Sequence, residues 1–267
     1  MRKHRQDIEG SEAEVAAMTR DLDQLHHDAG MPAMHEAITE LTDAVRTGAA
    51  KPTNRRTFLL GAGGFVAGAG ILAAVGSAPE LAAAAPSTSL TAPGTSPGAG
   101  LSGDLAIAAV AASVENLAIH TYLSAAKAAG AGKFGTVPPA ITTFITTVVG
   151  QHRQHAAAWN GLLTAAGKQA VSVTDPALTP TANEELSQAT SLRQVAQLAL
   201  TLENTAAQTY QAEASRLRSA RAVALAASIQ PVEMQHAAIL YYVLGEYPGI
   251  QTSSKSPLAF NPTTLAV

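Results

Sequence analysis

The chain has 267 residues, 14% of them charged, and a formal net charge of -3. That balance leaves no basic surface able to compete for phosphate backbones, which argues against nucleic acid as a partner, and there is no acidic tail. Cysteine is absent, which excludes disulfides, iron–sulfur clusters and thiolate nucleophiles and leaves His and carboxylate as the strong metal ligands.

Ala is abundant while Val, Ile and aromatic residues are sparse, a balance that favours closely packed helices over a large sheet, so an all-α fold is expected. A stretch of Ala, Gly, Pro and Ser near position 90 divides the chain unevenly and predicts one main domain of about 150 residues. Residues 1–52 form an N-terminal extension. Its apolar positions Val15, Met18, Leu22 and Leu25, then Met34, Ile38, Leu41 and Val45, are three and four apart and predict two short amphipathic helices. The break at Ala29-Gly30-Met31-Pro32 makes them a helical hairpin, each arm too short to be stable alone; a partly disordered tail is the alternative. His26, His27 and His35 in this extension read as solvated.

Residues 53–84 begin Thr53-Asn54-Arg55-Arg56-Thr57-Phe58 and continue into a weakly apolar run containing Gly61, Gly63, Gly64, Gly68 and Gly70. This resembles a twin-arginine signal, which implies the Tat translocase as a partner and export across the cytoplasmic membrane to the periplasm, cell envelope or exterior. Ala82-Ala83-Ala84 supplies a small-residue cleavage pattern, with the cut after Ala84. An uncleaved membrane anchor is the alternative, although the five glycines lower the hydrophobicity of the run. About fifty residues before the arginines is long for such a signal; either translation starts later, at Met18, Met31 or Met34, or the extension has a cytoplasmic role. Residues 85–103 read as a linker. Four helical stretches follow, at about 104–129, 140–166, 192–219 and 221–244, before a tail at 247–267. Residues 167–191, with Pro176 and Pro180, show no helical period, whereas the other two connections are short. Short, long, short is the pattern of two helical hairpins joined by a crossover. Pro231 falls inside the fourth stretch and either kinks that helix or begins it.

The domain repeats itself. Glu115-Asn116-Leu117-Ala118-Ile119-His120-Thr121-Tyr122 matches Glu203-Asn204-Thr205-Ala206-Ala207-Gln208-Thr209-Tyr210 at five of eight positions. His152-Arg153-Gln154-His155 likewise aligns with Glu233-Met234-Gln235-His236, so a pseudo-two-fold bundle is expected. Glu at one position with Ala three and Tyr seven later places all three on one helical face, and Glu and His three apart also point the same way. Residues 104–246 thereby resemble the ferritin-like superfamily, rubrerythrins and ferritins included, in which each half offers E-x-x-A-x-x-x-Y and E-x-x-H helices. The resemblance implies an all-α four-helix bundle of two hairpins joined by a long crossover. It implies Glu115, His152, His155, Glu203, Glu233 and His236 as ligands of two iron or manganese ions, with Tyr122 and Tyr210 behind them.

One position departs from that pattern, because His152 stands where the first half should carry a bridging Glu. Three carboxylates around two divalent ions leave a formal charge of about +1, so a single-metal site is also credible. His152 could instead cap the cavity or face solvent. Glu115 lies in an otherwise uncharged run, where an unpaired buried carboxylate would cost on the order of several kcal/mol, and ligation accounts for it better than chance. His120 falls off that face and reads as a surface or interhelix residue; Trp159, Tyr241 and Tyr242 read as bundle filling. The resemblance implies redox chemistry with oxygen or peroxide, or iron handling, and does not choose among them. A metal-free structural bundle that binds a partner is the other reading, and assembly into a homo-oligomer stays open.

Overall fold

A computed structural model describes residues 10–47 and 97–246. The twin-arginine segment with its Ala84 cleavage position, most of the linker and the 247–267 tail lie outside the described residues. Among the described residues the regular structure is helical, with no strand: α1 (Glu12–Leu25), a five-residue π-helical turn (His26–Gly30), α2 (Met31–Thr47), α3 (Asp104–Gly130), α4 (Pro139–Ala165), α5 (Thr179–Gln188), α6 (Leu192–Arg216) and α7 (Ala220–Leu244).

Local chemistry sets the helix ends. Pro139 opens α4, where its missing N–H has no intrahelical partner to lose. The Ser191 side chain accepts from the Gln194 N–H and caps α6. Gly245, at φ 69°, ends α7 in the left-handed region, and the N–H groups of Gly245 and Glu246 close back onto Tyr242 and Tyr241 carbonyls. Pro231 sits within a continuous α7 and does not begin it.

α3 packs along α4 and α6 along α7 as two hairpins, joined by the 166–191 crossover, which is the expected all-α, two-hairpin bundle. The crossover is not devoid of helix as its sequence suggested. Pro180 lies at the start of α5, where it is tolerated, and Ala182 and Leu186 bury one face. Three polar side chains pin the crossover to the bundle. Asp175, buried, accepts from the Ala177 and Leu178 N–H groups at 2.9 Å, and its own N–H donates to the Ser113 carbonyl. Asn116 donates to the Val171 and Val173 carbonyls, and Asn160 pairs twice with the Val171 backbone. Ser113 and Asn116 flank Glu115, so the crossover holds α3 on both sides of that carboxylate. α3 is long and apolar enough to cross a membrane, yet 67% of its most apolar window is buried inside the bundle, as expected of a core helix.

The N-terminal extension departs from expectation. Residues 12–47 do not fold back as a hairpin but run as one helical path through the π turn, with Leu25, His26 and Met31 all in the right-handed helical region. Pro32 cannot donate to the Asp28 carbonyl, and the π turn just before it absorbs that defect by taking in an extra residue. This helix packs against α4 and α7. Its buried stripe is Val15, Thr19, Leu22, His26, Gly30, Met34 and Ala37; Leu25, expected on that stripe, is 48% exposed.

The two largest apolar clusters of the core lie on either side of a polar layer, and a smaller third one gathers Ala125, Phe134, Leu186, Ala189 and Leu198. Of the two large ones, one gathers Val15 and Leu22 with Tyr122, Phe144, Val148, Leu240 and Val243. The other gathers Met34 with Ile107, Trp159, Leu163, Leu225 and Ile229. Along the long helices the two clusters lie on opposite sides of the Glu or His positions of the repeat, Val232 beside Glu233 excepted, and the N-terminal helix contributes to both. Asp175→Ala is expected to lower stability by about 1–3 kcal/mol, because two N–H groups of the crossover lose their acceptor. Glu184→Ala, on the exposed side of α5, should change it by less than about 0.5 kcal/mol, both read from urea unfolding.

Candidate metal centre

The four long helices each deliver their repeat residues to the polar layer. α3 supplies Glu115, α4 supplies His152 and His155, α6 supplies Glu203, and α7 supplies Glu233 and His236. All six side chains are buried, at 2% exposure or less. Glu115, His152, His155 and Glu233 form one compact group, and His152, Glu203, Glu233 and His236 form a second. Each group has two carboxylates and two imidazoles, and His152 and Glu233 are common to both.

His152 is thus central rather than a cap or a solvent-facing residue. Its Nδ1 lies 2.7 Å from Glu115 Oε2 and its Nε2 3.3 Å from Glu203 Oε1, so its ring spans the two Glu helices. His155 Nδ1 is 2.8 Å from Glu233 Oε1 and 3.5 Å from Glu115 Oε2. His236 Nδ1 is 3.2 Å from Glu203 Oε2 and 3.4 Å from Glu233 Oε2.

The tyrosines of the repeat cross over. Tyr122, from the first half, donates to Glu203 Oε1 at 2.5 Å, and Tyr210, from the second, donates to Glu115 Oε1. Trp159 does more than fill the bundle. It stacks on Tyr210 with ring planes 7° apart, and its indole N–H donates to the Tyr210 oxygen at 3.0 Å. Tyr241 accepts from Asn204, and Tyr242 meets Glu14 and the Ser11 N–H on the N-terminal helix. His120 stands apart, exposed and 3.2 Å from Asn183 on α5.

Charge in the cluster is set by burial against mutual attraction. Burial would raise the Glu115 carboxyl, but the charges of His155 and His152 outweigh it and hold it down at about 2. Burial would lower His155, but Glu115 and Glu233 raise it to about 9. His152 and His236 move up and Glu203 moves down by the same contest. Burial, then the neighbouring Glu203, pushes the Tyr122 phenol up, and burial with Glu115 does the same to Tyr210. Both phenols therefore stay protonated and donate.

These contacts do not satisfy the whole cluster. His155 and Glu233 face each other at 2.8 Å, yet neither the ring nitrogens of His155 nor the oxygens of Glu233 are aligned for a hydrogen bond. Glu233 thus rests on ion pairing with imidazoles alone, where a carboxylate in a folded core is ordinarily hydrogen-bonded as well. Nitrogen and oxygen donors grouped this way are the set that iron or manganese accepts. The buried Glu and His groups are compatible with a metal site.

A cavity of about 20 Å³ opens onto Glu115, His152 and Glu203, walled otherwise mainly by apolar side chains that include Leu178 of the crossover. At about 10–15 Å³ per water it has room for one or two water-sized molecules. A second cavity, of about 50 Å³ and almost wholly apolar, is lined by Phe134, Ile141, Phe144 and Leu240 and touches Tyr122.

Several residues at the cluster had no signal in the sequence reading. His26, expected to be solvated, is 1% exposed; its Nε2 lies 2.6 Å from Gln154 Oε1 and its ring packs edge-on against His155, centroids 5.4 Å apart. Burial, then the charge of His155, lowers the His26 imidazole to about 4. His27 and His35 are exposed as expected. Gln151 is buried between His236 and Asp23. A polar side chain at a core position of an amphipathic stripe is the one sequence sign that could have marked His26.

The family model for the ferritin-like domain matches residues 103–246, more than half of the chain. The chain belongs to the ferritin-like domain family. No curated protein and no solved structure matches it.

Tyr122→Phe and Tyr210→Phe are each expected to destabilise the metal-free chain by about 1.5–3 kcal/mol, the range for a hydrogen bond to a charged group. Tyr210→Phe should cost more, since it also strands the buried indole N–H of Trp159. Urea unfolding of both variants checks the order; equal and negligible losses would contradict the hydrogen bonding described.

Proposed function

We propose that the bundle holds two iron or manganese ions and serves redox chemistry with oxygen or peroxide, or iron handling, as an exported protein. The observation that carries this reading is Glu233, a fully buried carboxylate whose oxygens face only imidazole nitrogens, out of line for hydrogen bonds, and which is shared by the two Glu/His groups. In this reading Glu115, His155 and Glu233 hold one ion, Glu203, His236 and Glu233 hold the other, and His152 completes either set. Bound there, such ions supply electrons to a small oxidant or take them from a reductant.

The chain's own residues fix the rest. Tyr122 and Tyr210 donate to Glu203 and Glu115, which turns the remaining lone pairs of those carboxylates toward the centre. The apolar clusters on either side exclude bulk water and strengthen the electrostatics of the layer. The cavity of about 20 Å³ beside Glu115, His152 and Glu203 suits dioxygen or peroxide better than a bulky organic substrate. The apolar cavity beside Tyr122 offers space to a non-polar diatomic.

Arg55-Arg56 and the Gly-rich run after them support Tat export, a route that carries folded proteins and so allows metal to be inserted in the cytoplasm. One observation favours a metal-free bundle that acts by binding a partner: His152 pairs with both Glu115 and Glu203, which partly neutralises the layer without metal. That pairing still leaves Glu233 facing imidazoles with none of them aligned for a hydrogen bond.

Elemental analysis of the full chain, produced with iron and manganese supplied, is expected to give about two equivalents per chain for a dinuclear centre. Glu115→Ala and Glu233→Ala should each remove most of it. A folded, helical protein without metal would favour the partner-binding bundle. Export is tested separately: a reporter fused to residues 48–90 should lose export when Arg55 and Arg56 are both changed to Lys.

A further inference from the structure

The helix formed by residues 12–47 touches the layer behind two of the imidazoles, and both contacts run through a glutamine on α4. Gln151, 2% exposed, offers its Oε1 to His236 Nε2 at 2.7 Å, while its Nε2 donates to Asp23 Oδ1 of α1 at 3.5 Å. Gln154 offers its Oε1 to His26 Nε2 at 2.6 Å, and the His26 ring closes the flank of His155.

The first contact has a chemical consequence. An amide can turn over, presenting either its oxygen or its NH2 group to a neighbour. With the oxygen toward His236, Nε2 must carry a proton, so the neutral ring that a metal requires has its lone pair on Nδ1, facing Glu203 and Glu233. With the NH2 group toward His236, the ring proton would move to Nδ1 and point into the cluster, where it blocks ligation. Asp23 is an acceptor only, so it accepts the NH2 group and holds the amide the first way round.

The second contact depends on the π turn. A Cβ added at Gly30 would lie 3.0 Å from His26 Nδ1, so the absence of a side chain there leaves room for the His26 ring where it packs against His155. Farther along, a Cβ added at Gly161 of α4 would lie 3.3 Å from Cγ2 of Ile38, a close approach that seats α2 on the bundle.

We infer that the N-terminal helix is an integral layer of the metal centre, with Asp23 acting through Gln151 as the positioning residue for His236 and His26 sealing His155. The inference rests on the metal-binding reading. Under the export reading this layer is in place while the folded chain is still in the cytoplasm, where metal would be inserted. Cleavage after Ala84 would cut the covalent tie that keeps this layer in place.

The test uses the full chain and cobalt(II), whose visible absorption reports its ligand field. Asp23→Ala is expected to weaken cobalt retention against a chelator by about 10-fold or more, the usual effect of losing a residue that orients a ligand. Asp23→Asn keeps an oxygen able to accept from Gln151 and should restore most of the retention. Asp21→Ala, exposed on the same helix, should match the wild type. Unchanged retention in Asp23→Ala, or an equal loss in Asp23→Asn, would overturn the positioning role. Docking is read without metal: the chain has no cysteine, so an Ile38→Cys/Gly161→Cys pair should form one intramolecular disulfide on mild oxidation. A helical protein in which it does not form would overturn the docked helix. A wild type that forms the disulfide but takes up no cobalt would instead sink the metal reading, and this inference with it.

Discussion

Glu233 is buried to the last per cent, and its oxygens face only imidazole nitrogens, none of them aligned for a hydrogen bond. In the metal-free layer its charge is balanced by the three imidazoles around it, at 2.8–3.7 Å, and a bound cation would take over that role. The rest of the bundle is arranged about this demand. Two apolar clusters sandwich the polar layer, the crossed tyrosines orient the outer carboxylates, and the crossover clamps α3 on both sides of Glu115. Stability in the two clusters is what permits a layer this costly to exist.

The pseudo-two-fold repeat is kept in the geometry and broken in the chemistry. Tyr122 and Tyr210 reach across to the carboxylate of the opposite half, as two equivalent halves require. His152 and Glu233 occupy equivalent positions with opposite formal character, and both are shared by the two donor groups. The imidazole spans Glu115 and Glu203 through its two ring nitrogens, where a carboxylate would face them as a third negative group. The exchange therefore lowers repulsion in the layer while leaving a nitrogen donor in each group. Trp159 adds a second asymmetry, since only Tyr210 has an indole N–H behind it.

The duplicated Glu-x-x-Ala-x-x-x-Tyr spacing and the His-x-x-His and Glu-x-x-His pairs made the bundle, its four long helices and the members of the cluster readable from sequence, because helical periodicity turns spacing into direction. Pro180 misled the reading of the crossover, since a proline that breaks a helix and one that starts it look alike without the backbone. The N-terminal helix was harder to read. Its apolar period shows that one face is buried but not against what, and its stripe runs through His26 and Gly30, which hydrophobic patterning passes over. Pro32 suggested a break, whereas a π turn carries the helix past it. Asp23 and Gln151 have no sequence signature, because their roles exist only once α1 lies against α4.

The central claim is that metal neutralises the buried carboxylate, and thermal unfolding of the full chain titrated with manganese(II) tests it most directly. Ligand that binds only the folded state raises the midpoint by mass action. The account predicts a midpoint that climbs until about two equivalents are bound and a Glu233→Ala chain that does not respond. An identical midpoint with and without metal in the wild type, or the same rise in Glu233→Ala, would contradict it.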